Sequence, residues 1–317
     1  MKNIFYLFII SLITIACTDS IDEWGHGEIT LTAEVDNDTQ SRGLWKGASV
    51  ADMEATVWFN TESGVYPDNQ NPSAPTYLPY RAQVKYATNG PTTIYVDGNT
   101  NNVLAYPTNN TTVYCVGFYP KNEWSTTDNA NTIAKHAING TEDLMFAAEN
   151  NGTWQAPFEV QTYQHLLTWL TVVVRATDVD AANSWGNIES LQLVNPASLV
   201  NIELKSGSIT YLGTPNNVPQ TPLHGDLSIG VNNLGDVLCA PATSYTLKVK
   251  NKNIEDEKDI IVKLKDKDGK ELTSADAARG HQYIINLYFN SFNDINAMCS
   301  LIPWNEENMD LNGQEDE

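Results

Sequence analysis

Residues 165–176 read HLLTWLTVVVRA, and how this run is read decides the fold of the chain. It is apolar along most of its length and ends in three β-branched residues, Val172, Val173 and Val174, which favour a buried central strand over a helix. Working backward, TVYCVGFYP (112–120) alternates Val113, Cys115 and Gly117 with Tyr114, Val116 and Phe118, and Pro120 stops it. Working forward, SLQLVN, LVNIELKSGSITYLG, SYTLKVKNKN, DIIVKLKDKDGKEL and HQYIINLYFN follow, each bounded by Gly, Asn, Pro or Asp. Two-residue hairpin turns are expected at Ser206-Gly207 and Asp268-Gly269. Helical periodicity is nearly absent, with TSADAARG the one candidate helical turn. The expectation is an all-β chain of sandwich architecture.

The 317 residues suffice for two domains. Ahead of them, the apolar run Ile4–Ala16 is too short to span a bilayer and suits a signal-peptide core. Ala16 directly before Cys17 resembles the lipobox of bacterial lipoproteins, in which cleavage leaves a diacylated cysteine as the first residue. Expected boundaries are a leader at 1–16, an anchor linker at 17–27, an N-terminal sandwich at 28–156, a C-terminal sandwich at 157–305 and an acidic tail at 306–317, with the division placed at WQAPFEV. The proline-rich stretch from Pro67 to Pro79 is an excursion within the first sandwich.

Charge narrows the function. With 39 acidic residues against 18 basic ones, a formal charge of −21 disfavours nucleic acid and unaided attachment to anionic lipid. Cys115, Cys239 and Cys299 remain after Cys17 and read as buried thiols, with room for one bridge. Catalytic signatures are missing: there is no H-E-x-x-H, no G-x-S-x-G and no phosphate loop, and the five histidines are scattered. No catalytic residue, metal or cofactor is expected. His165 opens an apolar strand and reads as a satisfied core or rim residue, and DKDGKE reads as a hairpin turn rather than a calcium loop.

Lysines cluster late in the chain. Alternation sets Lys248 and Lys250 opposite Leu247 and Val249, and Lys263 and Lys265 opposite Val262 and Leu264, so these four share an outer face. They form either a solvated, edge-defending face or a docking stripe for an acidic neighbour. Eight tryptophans and 14 tyrosines keep a second class open, a glycan-binding surface lipoprotein that does not polymerise, with Trp124 and Trp154 in loop-like sequence as stacking platforms. Near the start, Ile29, Leu31, Ala33 and Val35 alternate with polar residues as one strand with an apolar face, followed by the polar stretch DNDTQSRG.

VYCVGFYP (113–120), DLMFA (143–147), HLLTWLTVVVRA (165–176), GHQYIINLYF (280–289) and LIPW (301–304) occur in an order that resembles the fimbrillin family of lipoproteins, the pilus subunits of anaerobic Gram-negative bacteria. Family strands usually read A-Y-Y-P and open F-x-H; here Gly117 and Phe118 stand for the alanine and first tyrosine, and Tyr163 for the phenylalanine. The resemblance implies two transthyretin-like Greek-key sandwiches and export through an outer-membrane lipid anchor at Cys17. It also implies polymerisation with other fimbrial subunits and adhesion to a host or bacterial surface. In that family a surface protease cuts after a basic residue in an early loop and removes the first strand. Carried to this chain, the cut falls at Arg42, with Lys46 as second candidate, and the removed strand holds Ile29, Leu31, Ala33 and Val35.

Overall fold

The computed structural model describes residues 27–36, 53–68, 77–87, 90–121, 124–194, 196–213, 218–291 and 294–302. The first half of the chain forms β1 (Thr30–Leu31), β2 (Ala33–Val35), β3 (Glu54–Asn60), β4 (Tyr80–Lys85), β5 (Thr92–Thr93), β6 (Val113–Tyr119), β7 (Ser125–Thr126), β8 (Ile133–Ala137) and β9 (Met145–Gly152). Next come β10 (Gln161–His165), β11 (Thr168–Ala176), the helix α1 (Val179–Trp185), β12 (Ile188–Leu193), β13 (Leu199–Glu203) and β14 (Ile209–Leu212). The last six strands are β15 (Val218–Gly225), β16 (Asn232–Cys239), β17 (Ser244–Asn251), β18 (Lys258–Lys263), β19 (Gln282–Phe289) and β20 (Ile295–Ile302).

A six-stranded sheet in the order β2-β10-β9-β6-β3-β4 is the middle layer of the N-terminal half. One face carries Val57, Phe59, Val113 and Cys115 into a core closed by Ile29, Leu31, Ile94 and Leu104 from the segments around β1 and β5. The other face carries Trp58, Val116, Phe118 and Phe146 against Ala134, Val200 and Ile202 of the sheet β14-β13-β8-β7. A strand buried on both faces must be apolar at successive positions. That is why Val116, Gly117 and Phe118 in β6 are all buried.

The C-terminal half is a sandwich of two four-stranded sheets, β16-β11-β19-β20 and β15-β12-β17-β18, around a core that includes Leu170, Val172, Leu191, Leu247, Val249 and Ile285. β11 is central, with β16 antiparallel on one side and β19 parallel on the other, in keeping with its largely apolar run. The division expected after residue 156 lies between β9 and β10, which pair within one sheet. Hairpin β13–β14, from the second half of the sequence, pairs back on β8 from the first.

Several local expectations change. The turn at Ser206-Gly207 is wider than two residues: Glu203 N–H donates to the Ser208 carbonyl, leaving Leu204 to Gly207 as the loop. Leu204 is buried, so the chain dips inward before Gly207 turns it at φ +69°. At Asp268-Gly269 the turn spans three residues, since Asp266 N–H donates to the Lys270 carbonyl. The Asp266 carboxylate accepts from the backbone N–H groups of Asp268 and Lys270, both at 2.9 Å, and is thereby committed to its own turn. TSADAARG does form the one helical turn expected of it, a 3-10 turn at 275–278. Helix α1 is a departure from the strand-only expectation: Asp178 caps it by accepting from Ala181 N–H at 2.7 Å, and Gly186 ends it at φ +67°.

Candidate functional site

Residues 29–35 form the first strand segment, which the family resemblance singles out, and their surroundings define the candidate site. Ile29, Leu31 and Val35 are 0%, 1% and 6% exposed, and Ala33 is half-buried. All belong to the core beneath the six-stranded sheet. The alternation legible in residues 29–35 is therefore the inward face of this segment.

The segment also bridges two layers. On one side Ile29 N–H donates to the Leu104 carbonyl at 2.8 Å, Ile94 N–H donates to the Ile29 carbonyl at 3.1 Å, and Leu31 stands opposite Thr92. On the other side β2 runs parallel to β10, with Gln161 N–H donating to Thr32 and Asp36 N–H to Tyr163, both at 2.8 Å. Outside the ladder, Thr162 Oγ1 donates to Glu34 Oε1 at 2.8 Å. Among the described residues β2 is the outermost strand of its sheet. Taking the segment away would bare the edge of β10 and the apolar floor at Ile94, Leu104 and Tyr163 together. Sequence periodicity gave no sign of β10 as the strand left exposed, because a parallel pairing between residues 33–35 and 161–163 leaves no local pattern.

Description of this region stops at Asp36, so Arg42 and Lys46 lie outside the described residues, as do Cys17, the leader and the acidic tail.

Beneath β10 the core holds polar groups in pairs. The Tyr86 and Tyr163 hydroxyls are 3.0 Å apart, and Gln161 Nε2 donates to Cys115 Sγ at 2.8 Å. Burial holds the Cys115 thiol well above its ordinary value, and pushes those of Cys239 and Cys299 up to about 12. All three cysteines are free thiols, with Cys115 and Cys239 buried and Cys299 half-buried. His165 is buried at the end of β10, its Nδ1 2.8 Å from Oδ2 of buried Asp143. Among the described residues no cluster of three or more His, Cys, Asp or Glu could hold a metal ion.

The lysine face is where alternation put it: Leu247, Val249, Val262 and Leu264 are buried, and the lysines point outward. Its charge is largely balanced locally. Lys248 lies 3.3 Å from both Glu257 and Asp259, Lys263 lies 2.9 Å from Glu271, and Lys250 Nζ donates to the Ile254 and Glu255 carbonyls. Lys265 is exposed at the base of the 266–270 turn.

Of the two loop tryptophans, Trp124 is buried, not exposed. Its ring lies 4.7 Å from that of Phe118 and 4.9 Å from His136, so β6 and β8 cover it despite its polar sequence neighbours. Trp154 is 39% exposed. A cleft of about 640 Å³ runs along β4, walled by Gln83 and Lys85 on one side and Thr93, Tyr95 and Asp97 on the other.

A model of the fimbrillin-like family matches residues 52–304. No curated protein matches the sequence. Among solved structures, a candidate cell adhesion protein from Bacteroides uniformis is 14% identical, covers 88% of this chain and 98% of its own, and superposes with a TM-score of 0.53. One from Bacteroides ovatus is also 14% identical, covers 89% and 99%, and gives 0.51. A candidate adhesin from Bacteroides thetaiotaomicron, 9% identical over 88% and 98%, likewise gives 0.51. At these identities the likeness is one of fold.

Proposed function

Because this chain belongs to the fimbrillin-like family, we propose that it is a structural or accessory subunit of an adhesive fimbrium, non-catalytic, exported as a lipoprotein anchored through Cys17. Assembly follows removal of the first strand by cleavage after Arg42, or after Lys46. The observation that carries this reading is the position of Ile29, Leu31 and Val35: buried in the core, yet on one short segment whose second strand, β2, is the outermost of its sheet. Burying a large aliphatic side chain is worth about 1.5–3 kcal/mol, so losing three costs on the order of 5–9 kcal/mol. That rivals the whole net stability of a domain, about 5–15 kcal/mol. A groove of this kind is filled, and an extended strand from another subunit fills it through ladder bonds to β10 and side chains at alternate positions.

The test is replacement of Arg42 by alanine, alone and with Lys46→Ala, in the native host. Short or absent polymers whose chains keep residues 18–42 support the reading. Polymers of normal length that retain the first strand refute it.

A second reading, a glycan-binding lipoprotein, is favoured by the cleft along β4, where Tyr95 is 39% exposed beside hydroxyl, amide and charged groups. Specific sugar binding by the monomer, lost in Tyr95→Ala, would support it; unchanged binding in that variant would not.

A further inference from the structure

Among the described residues the open edges of the larger sheets are defended, with one exception. β4 presents Arg81 and Lys85; β18 presents Lys258, Asp259 and Lys263; β15 contains Pro219 and Pro222 and slips register twice against β12. β2, β7 and β14 are two to four residues long, and β16, at the other edge of the sheet that holds β20, is broken by a register shift against β11. These are the usual means by which a sheet edge avoids pairing with another chain. β20 has none of them. Its eight residues, INAMCSLI, contain no charge, proline or glycine, and pair with β19 without a shift.

The backbone of β20 is poised for a further strand. Asn290 N–H donates to the Asp294 carbonyl, which fixes the alternation of the hairpin. Asn296, Met298, Ser300 and Ile302 therefore bond to β19, and the N–H and C=O groups of Ile295, Ala297, Cys299 and Leu301 point away from it. The inward side chains of that same set are only partly buried against the core. A groove of about 290 Å³ separates β20 from β18.

We propose that β20 pairs antiparallel with β20 of a second copy of this chain, about a two-fold axis through Met298. The sequence around Met298 is chemically self-complementary. In this register Ile295 faces Leu301 of the second copy, Asn296 faces Ser300, Ala297 faces Cys299, and Met298 faces itself. Apolar meets apolar on the core side and polar meets polar on the outer side, with no like charges opposed. For a chain of net charge −21, that neutrality matters, since most of its surface repels a second copy. The contact is isologous and closes on itself. It lies in the C-terminal sandwich and uses no part of the first strand, so it stands or falls separately from cleavage at Arg42.

The experiment uses the purified, uncleaved chain. Sedimentation is expected to show a dimer, which Met298→Lys should convert to monomer without changing the melting temperature, because Met298 is 59% exposed and its loss opens no cavity. A non-bonded antiparallel pair brings its Cα atoms to about 4.5 Å, within the disulfide range of about 4.4–6.8 Å. Met298→Cys accordingly gives a disulfide-linked dimer under mild oxidation, whereas Asn296→Cys, which faces Ser300 of the second copy, does not. A monomeric wild-type chain, a dimer that survives Met298→Lys, or equal cross-linking at 296 and 298 would each overturn the pairing.

Discussion

Gly117 makes the space that the Tyr163 hydroxyl fills: a Cβ on Gly117 would lie 2.2 Å from that oxygen and 2.7 Å from Cζ. These are two of the positions at which the chain departs from the pattern it resembles, glycine for alanine in β6 and tyrosine for phenylalanine in β10. The structure joins them into one substitution of two parts. The larger side chain on β10 is seated by the smaller one on β6, and its hydroxyl is used by Tyr86.

Gly117→Ala overpacks this contact and should destabilise by about 1–3 kcal/mol. Tyr163→Phe leaves the Tyr86 hydroxyl without its buried partner and should cost about 1–3 kcal/mol. Combined, the two changes should cost less than their sum, because the ring, released from Tyr86, can shift away from the new methyl. Urea midpoints of the three variants measure the coupling. Simple additivity would mean that the two departures are independent.

Asp143 and His165 tie the loop before β9 to the end of β10, and their side chains are each 1% exposed. Removing one member of a buried pair takes the opposite charge from the other, so Asp143→Ala should cost about 3–5 kcal/mol, and Asp143→Leu with His165→Leu considerably less. Equal losses in the single and double variants would show that the pair acts only by filling space.

The alkaline limb of stability follows from burial. The Cys239 and Cys299 thiols and the Tyr106 hydroxyl are all pushed up to about 12 in the folded chain. Unfolded, they ionise near their ordinary values of about 8.5 and 10. Between these limits the unfolded chain holds fewer protons than the folded one, so stability is complete below about pH 8.5 and falls as pH rises toward 12. Urea midpoints at about pH 8, 10 and 11 should decrease in that order. Replacing Cys239 by alanine should flatten the lower part of the decline. A flat profile would contradict the burial of these groups.

Helix α1 hangs on its cap. Asp178→Ala should cost about 0.5–2 kcal/mol, while Asp178→Asn should retain most of the stability, as expected for an N-cap. The loss should be felt at Trp185, whose Nε1 donates to the Asn290 carbonyl at 2.7 Å, as a change in tryptophan fluorescence. Wild-type stability in Asp178→Ala would place the helix outside the cooperative fold.

What the sequence disclosed was local. β11 could be read from its valines, β6 from its alternation and Pro120, and the buried face of residues 29–35 from the spacing of Ile29, Leu31 and Val35. Contacts made far along the chain could not be read. The parallel seat of β2 on β10 and the return of β13 to β8 depend on residues tens of positions away, and Trp124 is buried by Phe118 and His136 on flanking strands, which its own polar neighbours do not reveal. α1 was hidden for another reason: only Ala181 and Trp185 face inward, too few for a helical period, although Asp178 and Gly186 mark its two ends.

The central claim, that the first strand leaves and another subunit's strand replaces it, is tested most directly at the amino terminus of the assembled chain. Polymers taken from the native host, separated without boiling, would be dissociated and the mass of each subunit measured. Strand replacement predicts chains that begin at Gly43 or Gly47 and lack Ile29, Leu31 and Val35, with unpolymerised precursor retaining them. Polymer built from chains that still carry residues 29–35 would contradict it.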